Sequence, residues 1–124
     1  MGKALHDDVL SAPCHEIAEG TTLVVCSAEP ANYAGVAAVA LADIALTPGD
    51  GNGDFTVGNG DTSGRKVRVA AQSAINIDAS GTATHVVIHD GARLLAVTTC
   101  TSQALTSGGT VTVPAHDYEF ADPT

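Results

Sequence analysis

The second half of the chain is a succession of short segments in which apolar and polar positions alternate. From residue 54 to residue 122, each segment is closed by Gly, Asn, Asp or Ser. A period of two is typical of strands with one solvated face, and the closing residues favour turns. The predicted strands are 23–26, 39–46, 54–57, 66–69, 75–78, 84–88, 94–98, 110–113 and 118–120.

The start of the chain predicts one short helix over residues 3–12. Leu5, Val9 and Ala12 recur at helical spacing and form a marginal apolar stripe. Pro13 disfavours helical backbone at the residue before it, so the helix is expected to end there. The segment from His15 to Glu19 adds at most one further turn.

These elements predict an all-β fold, a small β-sandwich or flattened barrel of about seven to nine strands with one short N-terminal helix. The stretch 36–46 also fits an alanine-rich helix, but the alternation over 39–46 favours a strand. A chain of 124 residues has the size of one domain. We therefore expect a single domain over 1–124, with a helical segment at 1–19 and the sandwich at 20–124.

Charge adds one candidate contact surface. The formal net charge is −9, which opposes binding to nucleic acid. No apolar run is long enough to cross a bilayer, so no membrane role is expected. The bases cluster at Arg65, Lys66 and Arg68. This cluster either docks on an acidic patch of a neighbour or forms a solvated strand face with ordinary ion pairs.

The glycine-rich loop 50–61 resembles the first half of a calcium-binding loop, because oxygen-bearing side chains stand at alternate positions. The sixth position is Phe55 instead of Gly, and the twelfth is Asp instead of Glu. An ordinary turn is therefore favoured, and no cofactor is expected. The weak candidates for metal ligands are Asp50, Asn52, Asp54 and Asp61.

Histidine and cysteine form no catalytic or metal-binding motif. His85 and His89 share a strand face but lie roughly 13 Å apart along it, too far to hold one ion. Cys14, Cys26 and Cys100 have no close spacing and are expected to be buried small hydrophobes in a reducing cytoplasm. No nucleophile motif is present, so we expect a protein without enzymatic activity.

Several stretches carry a family resemblance: LVVCSAEP (23–30), GDFTV (53–57), DTSGRKV (61–67), SGTATHVVIHD (80–90), LL (94–95) and SGGTV (107–111). In these the chain resembles small virion proteins of tailed bacteriophages. The resemblance implies a structural protein with no catalytic residues, made in the bacterial host cytoplasm and located in the virion. It implies a head decoration or cement protein, or alternatively a minor structural protein of the tail or fibre.

The implied partners are other virion proteins, either the major capsid protein or tail proteins, and sister copies in a homo-oligomer. Under this hypothesis Arg65, Lys66 and Arg68 contact an acidic shell or a sister subunit. The helix that carries Leu5 and Val9 is expected to pack either across an open end of the sandwich or against a neighbouring subunit, and in the second case these two residues are interface candidates.

A hypothesis from a different class is a carbohydrate-binding or calcium-dependent adhesion module. It rests on the loop 50–61 in the predicted sandwich. Sugar sites use exposed aromatic side chains, and Tyr33 and Tyr118 are the two tyrosines available for this purpose.

Overall fold

The computed structural model describes residues 6–61 and 63–120. Strands make up 51% of the structure, and nine of them pair in antiparallel sheets beside two short helices. The all-β class is confirmed, and this content is consistent with a small sandwich that has a short N-terminal helix. The strands are β1 (Thr22–Cys26), β2 (Ala40–Ala45), β3 (Phe55–Asn59), β4 (Arg65–Val69), β5 (Gln72–Asn76), β6 (Gly81–His89), β7 (Leu94–Leu105), β8 (Thr110–Val113) and β9 (His116–Phe120). The helices are α1 (Asp7–Ile17) and α2 (Val36–Val39), the latter preceded by the 3₁₀ turn Tyr33–Gly35.

The chain folds as two compact units, and each is assembled from separated stretches. The first unit takes the chain up to Glu19, then Thr47–Ala71, then the chain from Ala115 onward. The second unit takes Gly20–Leu46 and Gln72–Pro114. Because the stretches of the two units interleave, no single linker separates them. The expectation of one domain stays a prediction.

Helix α1 runs further than the sequence predicted. Its apolar face is formed by Leu10, Cys14 and Ile17, which recur at helical spacing and are buried. The predicted end before Pro13 is wrong, because the helix continues through this residue. A proline cannot donate to the carbonyl four residues earlier, which here belongs to Val9. Val9 lies on the exposed side of the helix, so water can solvate that carbonyl.

The first unit is a three-stranded sheet covered by α1. Strand β4 is central, and β3 and β9 pair with it on either side. Phe55, Val67 and Val69 are fully buried on the face that packs against the helix. Alternation places three rows of side chains on this face: Phe55–Val69–His116, Val57–Val67–Tyr118 and Asn59–Arg65–Phe120.

The second unit contains a four-stranded sheet in the order β2-β1-β6-β7 and a two-stranded sheet of β5 and β8. All four apolar residues of β1, from Leu23 to Cys26, are buried. This burial on both faces explains why β1 reads as a continuous apolar run without alternation. Strand β7 lies at the edge of its sheet, and its stretch 99–104 is exposed.

The ambiguous stretch 36–46 contains both predicted structures. Its first four residues form α2, and β2 follows directly, so the strand is confirmed from residue 40. Val36 packs with Val24, Cys26 and Val87 in a buried cluster on one face of the sheet. Burial of Val36 therefore stabilises the short helical segment that alternation alone could not predict.

Candidate functional site

The basic strand β4 directs its cations to two different faces. Arg65 lies on the face that packs against the helix, where its Nε donates to Ser11 Oγ at 2.8 Å. Its second contact is from Nη1 to Asn59 Oδ1 at 2.7 Å. Ser11 is only 5% exposed. The guanidinium of Arg65 therefore joins α1 to the sheet of its own unit.

Lys66 and Arg68 lie on the opposite face of β4 and meet acidic side chains. Lys66 Nζ lies 2.6 Å from Asp61 Oδ1 and 3.4 Å from Asp117 Oδ2. Arg68 Nη1 lies 3.2 Å from Asp117 Oδ1, and the Arg68 side chain remains 55% exposed. The hydrogen bond to Asp61 raises the pKa of Lys66 above its usual value. Of the three clustered cations, Arg68 presents its charge most openly to solvent.

The residues considered as metal ligands form hydrogen bonds to the loop itself or to the strands beside it. Within residues 6–61 and 63–120, no group of three or more His, Cys, Asp or Glu is placed to hold a metal ion. These contacts fix the conformation of the loop and its strand. Asp50 Oδ1 accepts from Val57 N at 2.9 Å, and Asp54 Oδ2 accepts from Thr47 N at 2.6 Å. Asn52 Nδ2 donates to Pro48 O at 2.8 Å, and Asp61 Oδ1 accepts from Lys66 Nζ at 2.6 Å.

The two apolar interface candidates on the N-terminal segment have different outcomes. Leu5 lies outside the described residues. Val9 lies on α1 and is 56% exposed, outside the buried stripe of Leu10, Cys14 and Ile17. Val9 is thus available to a neighbour, as the stripe hypothesis requires, although the helix buries a different set of residues.

The cysteines were expected to be buried, and this expectation is wrong for one of them. Cys14 and Cys26 are fully buried, and burial raises the pKa of the Cys26 thiol to about 11. Cys100 is exposed because it lies on the outer stretch of the edge strand β7. The thiol of Cys100 is therefore accessible to solvent, whereas the other two are not.

Sequence reasoning gave too little weight to a surface region around Tyr33, which belongs to the second unit. Tyr33 is 37% exposed, and its ring makes an edge contact with His89 at a centroid distance of 4.9 Å. Asn32 caps the 3₁₀ turn through its Oδ1, which accepts from Gly35 N at 3.0 Å. These two contacts hold the ring at the surface.

Two grooves meet at this ring. The first has a volume of about 370 Å³, with Val24 and several alanines as its apolar lining and Asp43 and His89 as its polar lining. The second has a volume of about 570 Å³ and lies beside Asn32 and Arg93. We refer to Tyr33, Asn32, Asp43 and His89 as the Tyr33 platform.

The strand register explains how Asp43 and His89 come to flank the first groove. Asp43 on β2 pairs with Val24 of β1, and His89 on β6 pairs with Thr22 of the same strand. Both residues lie on the same face of the sheet. Their strands, β2 and β6, flank β1 and are therefore two strand spacings apart, or roughly 10 Å. No motif in the sequence signals this pairing.

The protonation states of the platform follow from its surroundings. His89 Nδ1 accepts from Gly91 N at 3.0 Å, so a neutral ring carries its proton on Nε2. Burial lowers the pKa of His89, which favours this neutral form. Burial, followed by a hydrogen bond with Asp78, raises the pKa of Asp43 above its usual value.

Tyr118, the other tyrosine, does not lie at the surface in this way. Its hydroxyl is buried and has no hydrogen-bond partner among the described residues. Burial raises the pKa of Tyr118 to about 12. Its ring contacts His116 edge to face at a centroid distance of 5.3 Å. Tyr118 is therefore a half-buried side chain of the first unit, with its hydroxyl turned away from solvent.

None of the helices described over residues 6–61 and 63–120 has the length and apolar character needed to span a membrane. No protein-family model, curated protein or solved structure matches this chain.

Proposed function

We propose that this chain is a non-enzymatic structural protein of a tailed-bacteriophage virion. In this proposal it decorates the head and stabilises the capsid through contacts between subunits. The resemblance of its strand and turn segments to small virion proteins supports this role, and so does the antiparallel all-β fold. Sister copies and the major capsid protein are the proposed partners.

One observation carries the proposal: several polar side chains that were candidates for metal binding or external contact form hydrogen bonds within their own unit instead. Arg65 joins the helix to the sheet, and Asp50 and Asp54 bind backbone amides of their own loop region. This use of polar groups leaves small β units whose outward features are strand edges and faces. Such surfaces suit repeated contacts in a particle.

Two exposed features are the proposed contact surfaces. Arg68 extends from the outer face of β4 and can pair with an acidic side chain on a shell or a sister subunit. The exposed stretch 99–104 of β7 lies at a sheet edge, where backbone groups can pair with a strand of a neighbour. Both surfaces are accessible without rearrangement of either unit.

The test is binding of purified protein to capsids of the encoding phage that lack it. We expect binding at a fixed copy number per capsid and a higher temperature of capsid disruption. Cys100 supplies a site-specific probe, because a maleimide label reaches its exposed thiol and not the buried Cys14 or Cys26. Contact through β7 should protect Cys100 in the particle, and Cys100→Ser provides the unlabelled control.

A charge reversal tests the second surface. Arg68→Glu should weaken capsid binding, whereas Arg68→Lys, which keeps the charge, should retain most of it. Recovery of the protein only in tail fractions would replace the head role with the tail or fibre role. Absence of the protein from both fractions would reject a virion function.

A further inference from the structure

We propose that the Tyr33 platform binds a neutral saccharide. This inference goes beyond the virion role and does not depend on it. An exposed aromatic face carries negative charge density that attracts the weakly positive C–H groups on one face of a sugar ring. Tyr33 presents such a ring between two open grooves, and small residues such as Ala34 and Ala37 line the surface beside it. The small neighbours leave room for a flat ligand against the tyrosine.

The polar groups around the ring match the hydroxyl groups of a sugar. Each hydroxyl both donates and accepts hydrogen bonds, so a sugar site needs acceptors and donors close together. Asp43 supplies carboxyl oxygens as acceptors in the first groove. His89 supplies an Nε2–H donor there, because its Nδ1 is engaged by Gly91. Asn32 supplies amide hydrogens in the second groove, because its Oδ1 is engaged by Gly35.

A proline-rich peptide is the main alternative ligand for an aromatic groove, and the platform fits it less well. Grooves for such peptides are lined by aromatic residues. The Tyr33 grooves contain a single tyrosine with a carboxylate and a histidine nearby. This composition favours a ligand with one ring-sized stacking face and many hydroxyls.

The platform is preorganised, which limits the entropy cost of binding. The capped 3₁₀ turn fixes the backbone of Tyr33, and the edge contact with His89 orients its ring. One stacking surface with a few hydrogen bonds predicts a weak site, with a dissociation constant on the order of 1 mM for a single sugar.

The test is a titration of the ¹⁵N-labelled protein by NMR. The probes are the methyl glycosides of glucose, galactose, mannose and N-acetylglucosamine, and separately a proline-rich peptide. We expect at least one glycoside to shift the amide signals of residues 31–37, 43 and 89 in a saturable way. Tyr33→Ala should weaken that binding roughly tenfold or more, and Tyr33→Phe, which keeps the ring, should retain it.

The controls separate a local effect from a folding effect. The amide spectrum of each variant reports directly whether it is folded, and Gly58→Ala in the first unit, where a Cβ has open space, should bind the glycoside as the native chain does. The proposal is overturned if no glycoside shifts these signals, if the shifts lie elsewhere, or if the folded Tyr33→Ala variant binds equally well. It is also overturned if only the peptide binds.

Discussion

Removal of the Arg65 side chain tests whether this cation stabilises the fold or serves an external partner. Arg65→Ala deletes the hydrogen bonds to Ser11 and Asn59, and it leaves the hydroxyl of Ser11 buried without this donor. A hydrogen bond from a charged group contributes about 1.5–3 kcal/mol, whereas the exposed bond to Asn59 adds little. We therefore expect a loss of about 2–3 kcal/mol in the free energy of unfolding.

Arg68→Ala is the matched control, because it removes a guanidinium from the same strand at an exposed position. Its ion pair with Asp117 should contribute about 0–1 kcal/mol. Urea unfolding followed by far-UV circular dichroism measures both variants. A double-mutant cycle with Ser11→Ala should give a coupling of about 1.5–3 kcal/mol.

Equal losses for the two arginine variants, or no coupling between Ser11 and Arg65, would refute this reasoning. The guanidinium of Arg65 would then not be committed to α1. Arg65 would again be available as an interface residue, as the charge pattern of the sequence suggested.

Four further substitutions test local features of the fold. Ala74 has a φ of 55°, so Ala74→Gly should raise stability by about 1 kcal/mol, and a lower melting temperature would contradict this. A Cβ at Gly60 would collide with a backbone carbonyl, whereas Gly58 has open space. Gly60→Ala should therefore lower the free energy of unfolding by about 1–3 kcal/mol, and Gly58→Ala by less than about 0.5 kcal/mol. Similar melting temperatures for the two variants would exclude the collision. The pKa of Asp43 is raised by burial and by Asp78, so the folded state binds this proton more tightly and loses stability as pH rises above 3.8. Asp43→Asn should thus stabilise the chain by about 0.2–1 kcal/mol at neutral pH, and a gain that persists in stronger acid would argue against this origin.

The sequence predicted most strands because alternation reports directly which side chains are buried. Strand β8 matches its predicted range, since its valines are buried and its threonines exposed. The inward position of Arg65 could also have been predicted, because alternate residues of a strand lie on one face and Arg65 alternates with the buried Val67 and Val69. Its charge instead grouped Arg65 with Lys66 and Arg68, and this alternation was not used.

The Tyr33 platform could not be predicted in the same way. Asp43 and His89 are far apart in the chain, and only the pairing of their strands with β1 brings them to one face. Tyr33 itself was recognisable as an aromatic in a loop. Its exposure depends on the small side chains that the fold places around it.

The interleaved arrangement of the two units has a consequence for how the protein is made. The first unit is completed by β9, which leaves the ribosome only after the whole second unit has been translated. Its central strand β4 can pair with β3 at once but must wait for its second partner β9, from which residues 70–115 separate it. Until β9 emerges, one edge of β4 in the first unit stays exposed.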